Sequence, residues 1–298
     1  MNYKWLFVDG NNLLCRAHFS SNLTDKKQRP TGGTFGVMRM TRNIIKKFDP
    51  EKVVIAWDEG KSEERIRLYP DYKANRINRD PQMKKDISRQ MLECRKLFGQ
   101  LPIRQVWVEG VEADDIIGVL CDKLKGKKIV LTNDQDMIQL VNKDVSLWLP
   151  KQEKLLTAKT VEGFLGFPVR DYVLWKSMVG DSSDNIKGIK GIGPKRATEI
   201  ILKAPKMKKK PKVSAEEMAI LDRNAHLITI GAVLTEKQMG AIKKFFVTEA
   251  KKKVSFQPVR IGFTKMGFKS LVRGFDDWSR CFNKIKKNEG GMQWQKNQ

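Results

Sequence analysis

Four short apolar runs punctuate the first half of the chain: KWLFV (4–8), KVVIAW (52–57), QVWV (105–108) and KKIVLT (127–132). Between them lie amphipathic stretches such as TFGVMRMTRNIIKKF (34–48) and DDIIGVLCDKL (114–124). Short continuous apolar runs suit strands buried on both faces, and their alternation with helices predicts an α/β fold with a parallel sheet core. The residues just past each run narrow the fold further. Asp9 comes after the first, Asp58 after the second, Glu112, Asp114 and Asp115 after the third, and Asp134 and Asp136 after the fourth. In open parallel sheets the carboxyl ends of the strands share one crevice, where ligands bind at the point of strand reversal. Seven carboxylates from distant sequence are therefore expected in one cleft.

The rest of the chain makes that gathering unusual. It carries 58 Lys and Arg against 34 Asp and Glu, a formal charge of +24 over 298 residues. Two like charges about 4 Å apart repel by about 1 kcal/mol in water and about 4 kcal/mol near a protein surface. An acidic first turn complementing a helix dipole explains GVEADD (110–115) alone, but not acids after all four runs. A metal ion offsets the repulsion at all of them. The basic excess points to a polyanionic partner, nucleic acid first. Cys15, Cys94, Cys121 and Cys281 lie far apart, with only His18 and His226 to assist them, so a zinc site or disulfide framework is not expected and a reducing cytosol fits. No apolar run approaches the ~20 residues of a membrane span, and MNYKWLFVDG lacks the features of an export signal. The expected location is cytoplasmic, with no membrane partner.

From about residue 165 the texture becomes helical. VRDYVLWKSMVGDSSDN (169–185) reads as a helix ending in Asp181 and Asp184, which brings the candidate acids to nine. An all-oxygen set without nearby His or Cys selects a hard cation, Mg²⁺ or Mn²⁺. Mg²⁺ takes only one or two protein carboxylates, so nine acids suit two ions, the arrangement that cleaves phosphodiesters. Glu112 and Asp115 share a face at i, i+3, which leaves Asp114 free to point elsewhere, and not every acid need be a ligand. GIKGIGPKRA (188–197) is a glycine-rich turn opening a helix, able to set bare N–H groups against a phosphate. Its Gly191 and Gly193, with Lys187, Lys190, Lys195 and Arg196, would hold a nucleic-acid backbone without reading bases. Residues 61–98 carry eleven Lys and Arg against six acids. Within them LYPDYKANR (68–76) places Tyr69, Tyr72, Lys73 and Arg76 together, as a single-strand gate over the cleft would need. The bland alternative is a solvated helix face.

LFVDGNNLL (6–14), YKANR (72–76), GVEADD (110–115), TNDQD (132–136) and VGDSSDNIKGIKGIGPKRA (179–197) together resemble the 5′-nuclease family: bacteriophage flap endonucleases and the 5′→3′ exonuclease domain of bacterial DNA polymerase I. The resemblance covers roughly residues 3–230. It implies a PIN-like, resolvase-like core over 1–165 with a helical arch at about 61–98, and a helix-three-turn-helix DNA-binding region over 166–255. A C-terminal segment (256–284) and a flexible tail (285–298) complete the expected organisation. The resemblance also implies a first metal cluster of Asp9, Asp58, Glu112, Asp114 and Asp115 and a second of Asp134, Asp136, Asp181 and Asp184. Asp9, Asp58, Asp114, Asp115 and the arch lysine Lys73 are then the catalytic set, with Tyr72 as stacking neighbour and Arg76 beside it. The family often holds K⁺ in the helix-three-turn-helix turn. Implied partners are DNA with a 5′ flap, nick or strand junction, and RNA–DNA hybrid, bound by a monomer. Implied roles are flap or primer removal in replication and repair. Two features depart from the pattern: Gln135 stands where a basic residue usually separates the two acids, and the connector KAPKMKKKPK (203–212) is long and basic. With no polymerase segment following, a stand-alone phage nuclease acting in the host cytoplasm is expected.

Rival readings remain. An aspartyl-phosphate phosphatase needs D-x-D, but the residue two after Asp9 is Asn11. A non-catalytic junction binder predicts missing acids, and none is missing. A PIN-type ribonuclease is separated only by substrate.

Overall fold

The computed structural model describes residues 2–76, 80–203, 214–247 and 254–285. The four apolar runs form β1 (Trp5–Asp9), β2 (Lys52–Ala56), β3 (Arg104–Val106) and β4 (Lys128–Leu131). Two further strands, β5 (Val145–Leu149) and β6 (Lys154–Leu156), extend the sheet. Its order is β3-β2-β1-β4-β5-β6. β1 to β5 are parallel, and edge strand β6 runs antiparallel to β5. The chain moves outward from β1 through β2 to β3, then returns to lay β4 on the other side of β1, so strand order reverses between β1 and β4. Val8 lies opposite both Ile55 and Leu131, which brings the carboxyl ends of these three strands to one level.

Side chains along β1 divide between two cores. Leu6 and Val8 join the cluster under α1 (Gly10–Phe19), α2 (Gly32–Phe48) and the later arch helix, while Phe7 joins the cluster on the opposite face. The arch region holds α3 (Glu63–Leu68) and α4 (Pro81–Phe98), with a 3₁₀ turn at Ala74–Arg76 between them. The opposite face is covered by α5 (Ala113–Lys123), α6 (Val161–Leu165), α7 (Tyr172–Val179), α8 (Pro194–Lys203), α9 (Ala215–Ile228) and α10 (Glu236–Val247). The C-terminal segment forms α11 (Gln257–Lys265), α12 (Lys269–Arg273) and α13 (Phe275–Arg280). These return to the first face, where Phe263, Trp278 and Phe282 join one cluster with Leu97 and Phe98 of α4. The connector beyond Lys203 and the tail beyond Ile285 lie outside the described residues. Among the described residues no helix is long and apolar enough to cross a membrane.

The helix expected through 169–185 is shorter than its pattern suggests. After a 3₁₀ turn at Val169–Asp171, α7 stops at Val179, and a hairpin comes next, β7 (Gly180–Asp181) and β8 (Ile186–Lys187). Gly180 sits at φ +80, a conformation that L side chains avoid and that ends helices. A Cβ on Gly188 would lie 2.4 Å from the Met178 and Val179 carbonyl oxygens, so the hairpin closes only on glycine.

Candidate metal centre

Each acid reaches the cleft from a different element. Asp9 ends β1 and caps α1, its Oδ1 accepting from the Asn12 amide at 3.1 Å. Asp58 stands two residues beyond β2; its amide donates to Asn11 Oδ1 at 3.0 Å and its Oδ1 accepts from the Ala113 amide at 2.8 Å. That second bond fastens the end of β2 to the start of α5. Glu112 precedes α5, and Asp114 and Asp115 lie in its first turn. One carboxylate oxygen from each of these three falls within 4.8 Å of the others. Beyond β4, Thr132 Oγ1 donates to Asp9 Oδ2 at 2.9 Å and accepts from the Asp134 amide at 3.0 Å, drawing Asp134 and Asp136 toward β1. Asp181 and Asp184 arrive on the β7–β8 hairpin. The structure thus brings all nine acids to the carboxyl end of the sheet.

Their cationic partners are unequally shared. Lys73 Nζ donates to Glu112 at 2.7 Å and lies 3.7 Å from Asp184, while Arg76 holds Asp184 at 2.5 Å. Arg65 grips Asp115 through two nitrogens at 2.5 and 2.8 Å and touches Glu112 at 3.2 Å. Lys176 bridges Asp136 at 3.0 Å and Asp181 at 2.8 Å, and the Tyr172 hydroxyl donates to Asp136 at 3.1 Å. Among the described residues no ion pair reaches Asp9, Asp58, Asp114 or Asp134.

The electrostatics follow that division except at Asp184, whose carboxyl burial raises despite Lys73 and Arg76. Burial, then the charges of Asp58 and Asp134, push the Asp9 carboxyl up to about 7. Burial and the neighbouring Asp136 push Asp134 up to about 6. Asp58 rises through burial and Glu112, and Asp114 rises well above the carboxylate range through burial, Asp115 and Glu112. Against the opposing pull of burial, Lys73 and Arg65 hold Glu112 low, and Lys176 with Ser183 holds Asp181 low. Four carboxylates in the cleft, without a direct ion pair among the described residues, are chemically suited to a hard divalent cation, which would relieve the repulsion and needs no His or Cys.

The arch and the glycine turn supply the cations that the sequence expectation named, though not all as it described them. Lys73 has φ +54, and its amide donates to the Asp184 carbonyl at 2.9 Å. Tyr72 is buried, its hydroxyl donating to Glu112 at 3.0 Å, so its ring is not displayed as a stacking surface here. The reason is that Tyr72 packs with Tyr69, Ile186, Leu227 and Ile228 in a small cluster under the arch. At the turn, Lys187, Lys190, Gly191, Gly193, Lys195 and Arg196 are all exposed. Gly191 has φ +79, and open space surrounds both it and Gly193 at the start of α8. Sequence reasoning did not single out Arg65, Lys176, Tyr172 or Thr132. Lys176 left a trace as the one cation in YVLWKSMV, while Arg65 in EERIRL looks like any solvated helix residue.

The family described as 5′-3′ exonuclease, N-terminal resolvase-like domain, matches residues 4–166. The 5′-3′ exonuclease of Bacillus subtilis is 34% identical over 211 residues, spanning 67% of this chain and 70% of that protein. That of Aquifex aeolicus is 33% identical over 205 residues, with the same two shares of 67% and 70%. A bacteriophage T5 flap endonuclease variant, solved in a pseudo-enzyme-product complex with DNA and metal ions, superposes with a TM-score of 0.66 at 20% identity, covering 81% of this chain and 97% of that one.

Proposed function

Since the chain belongs to the 5′-3′ exonuclease family, we propose that it is a divalent-metal-dependent nuclease hydrolysing DNA phosphodiesters at 5′ ends and 5′ flaps, in replication or repair. The observation that carries this reading is a set of four carboxylates, Asp9 buried and Asp58, Asp114 and Asp134 half-buried, gathered in one cleft with no ion pair among the described residues. Asp9, Asp58, Glu112 and Asp114, from the cluster that also contains Asp115, would hold one ion. Asp134, Asp136, Asp181 and Asp184 would hold a second. Mg²⁺ or Mn²⁺ is the fitting choice for oxygen ligands. When bound, such a pair activates a water and stabilises the leaving oxygen.

The chain's own residues do the rest. Lys73 and Arg76 now neutralise Glu112 and Asp184; both are cations of a reach to take a phosphate in exchange, stabilising its developing charge. Exposed amides around Gly191 and Gly193, with Lys187, Lys190, Lys195 and Arg196, grip the duplex backbone through phosphates and leave base sequence unread. K⁺ at this turn, RNA–DNA hybrid as a further substrate, a monomeric state and action in the cytoplasm complete the proposal by family resemblance.

A labelled 5′-flap duplex, incubated with and without Mg²⁺ against single-stranded RNA and plasmid competitors, tests it. Short 5′ products appearing only with Mg²⁺ support the reading. Preferential loss of the RNA would favour a PIN-type ribonuclease instead.

A further inference from the structure

Asp114 and Asp115 are adjacent, of the same residue type and assigned together by motif, yet their surroundings differ. Asp114 Oδ1 accepts from the Asp115 amide at 2.7 Å, and among the described residues it makes no direct ion pair, the charges of Arg65 and Lys73 acting on it from further off. Asp115 is fully buried and both its oxygens are taken. Oδ2 accepts from Arg65 Nη1 at 2.5 Å, and Oδ1 accepts from Arg65 Nη2 at 2.8 Å and from the Gly231 amide at 2.7 Å. The guanidinium is held just as fully. Arg65 is 1% exposed, its Nε donates to the Leu227 carbonyl at 3.0 Å, and its Nη1 also reaches Glu112 Oε2 at 3.2 Å. A bidentate guanidinium–carboxylate pair is directional and strong, and a buried one cannot lose a partner cheaply. A dication on Asp115 would face a full positive charge across that same carboxylate.

We propose that Asp115 is the anchor of Arg65 and not a metal ligand, and that Arg65 is a positioning residue that presents one edge of Glu112 to the cation site. Resting on the metal-dependent reading above, this inference divides the first cluster by role. With Oε2 held by Arg65 and the Tyr72 hydroxyl, Glu112 offers Oε1, which Lys73 now occupies. Arg65 lies on α3 at the foot of the arch, while Leu227 lies in the last turn of α9 and Gly231 just beyond it. The pair therefore joins the arch, the acid cluster and the helical region at one point.

Mn²⁺ titration of the full chain by calorimetry, without DNA, separates the roles. Asp114→Asn and Asp115→Asn each remove one negative charge with almost no change in shape. Asp115→Asn, acting only through Arg65 and Glu112, is expected to weaken Mn²⁺ binding by the roughly 10–100-fold typical of an outer partner of a ligand, and Asp114→Asn, which removes a ligand charge, by clearly more. Equal losses overturn the proposal. If neither variant weakens binding, the metal reading itself fails, which is a different result. On a flap substrate, Arg65→Met is expected to lower kcat with little change in KM, and adding Asp115→Asn to it should cost no more. Losses that multiply in the double variant overturn the pairing, as does a shift confined to KM.

Discussion

Asp9 shares the electrostatic cost of the cleft with Asp58, Asp114 and Asp134. Its carboxyl is pushed up to about 7 from an ordinary 3.8, first by burial and then by Asp58. Between those values the folded chain keeps a proton that the unfolded chain has lost. The stabilisation from this group is complete below about pH 4 and is lost as pH climbs to about 7, by up to about 4 kcal/mol. The metal-free protein should therefore unfold at lower urea concentration at pH 7.5 than at pH 5. Saturating Mg²⁺ should flatten or reverse that difference, because the cation takes the proton's place. An unchanged urea midpoint across this range would place Asp9 outside the repulsive cluster. Lys73→Ala tests the opposite charge: it should slow turnover by on the order of 10²–10³ while affinity for DNA falls much less. Equal losses would mark Lys73 as a plain backbone contact. The acids were legible in the sequence because strand ends are readable from apolar runs, and a parallel sheet brings such ends together. Their partners were not. Arg65 and Lys176 meet carboxylates that lie 47, 50, 40 and 5 residues away (Glu112, Asp115, Asp136 and Asp181), and only the folded chain chooses among so many cations.

The hairpin β7–β8 is the element on which the second cluster depends. Gly188→Ala would drive a Cβ into the Met178 and Val179 carbonyl oxygens, backbone atoms that cannot rotate away. Such overpacking typically costs roughly 1–3 kcal/mol, and here it should also displace Asp181 and Asp184 and slow cleavage. Gly193→Ala, five residues on, meets open space. It should leave thermal stability nearly unchanged and weaken only DNA binding, read by fluorescence anisotropy in Ca²⁺. If both variants melt alike, the hairpin is not the constrained element. β1 to β4 were visible in the sequence because each apolar run led to an acid. β5 and β6 were not: the acid after VSLWL, Glu153, falls in the tight turn to β6, and KLL is only three residues long. The helix through 169–185 was overextended because apolar periodicity continues to Val179, and nothing but the glycine signals the stop.

At the scale of the whole molecule the charge is arranged as well as large. A chain of net charge +24 keeps carboxylates at the carboxyl end of its sheet and exposes the lysines of the α8 turn. Log affinity for DNA should fall linearly and steeply with log salt, the mark of several phosphates neutralised at once. A flat salt response in Ca²⁺ would remove the nucleic-acid reading. The core and the helical region meet where Asp181 and Asp184 approach Asp134, Asp136 and Glu112, so the second cluster draws on both parts of the fold while the first lies in the core, and the two should fail differently. Asp181→Asn with Asp184→Asn removes negative charge from the path of a polyanion and should leave DNA affinity unchanged or tighter while slowing flap cleavage. Asp114→Asn with Asp115→Asn should abolish all cleavage at any practical Mg²⁺ concentration, with the fold intact by circular dichroism. The most direct measurement is cleavage of one labelled 5′-flap duplex by these two double variants beside the wild type. No product from the 114/115 variant, with slow residual product from the 181/184 variant, is the expected result. Cleavage by the folded 114/115 variant at near wild-type rate would contradict a metal-dependent centre built on the acids at the start of α5.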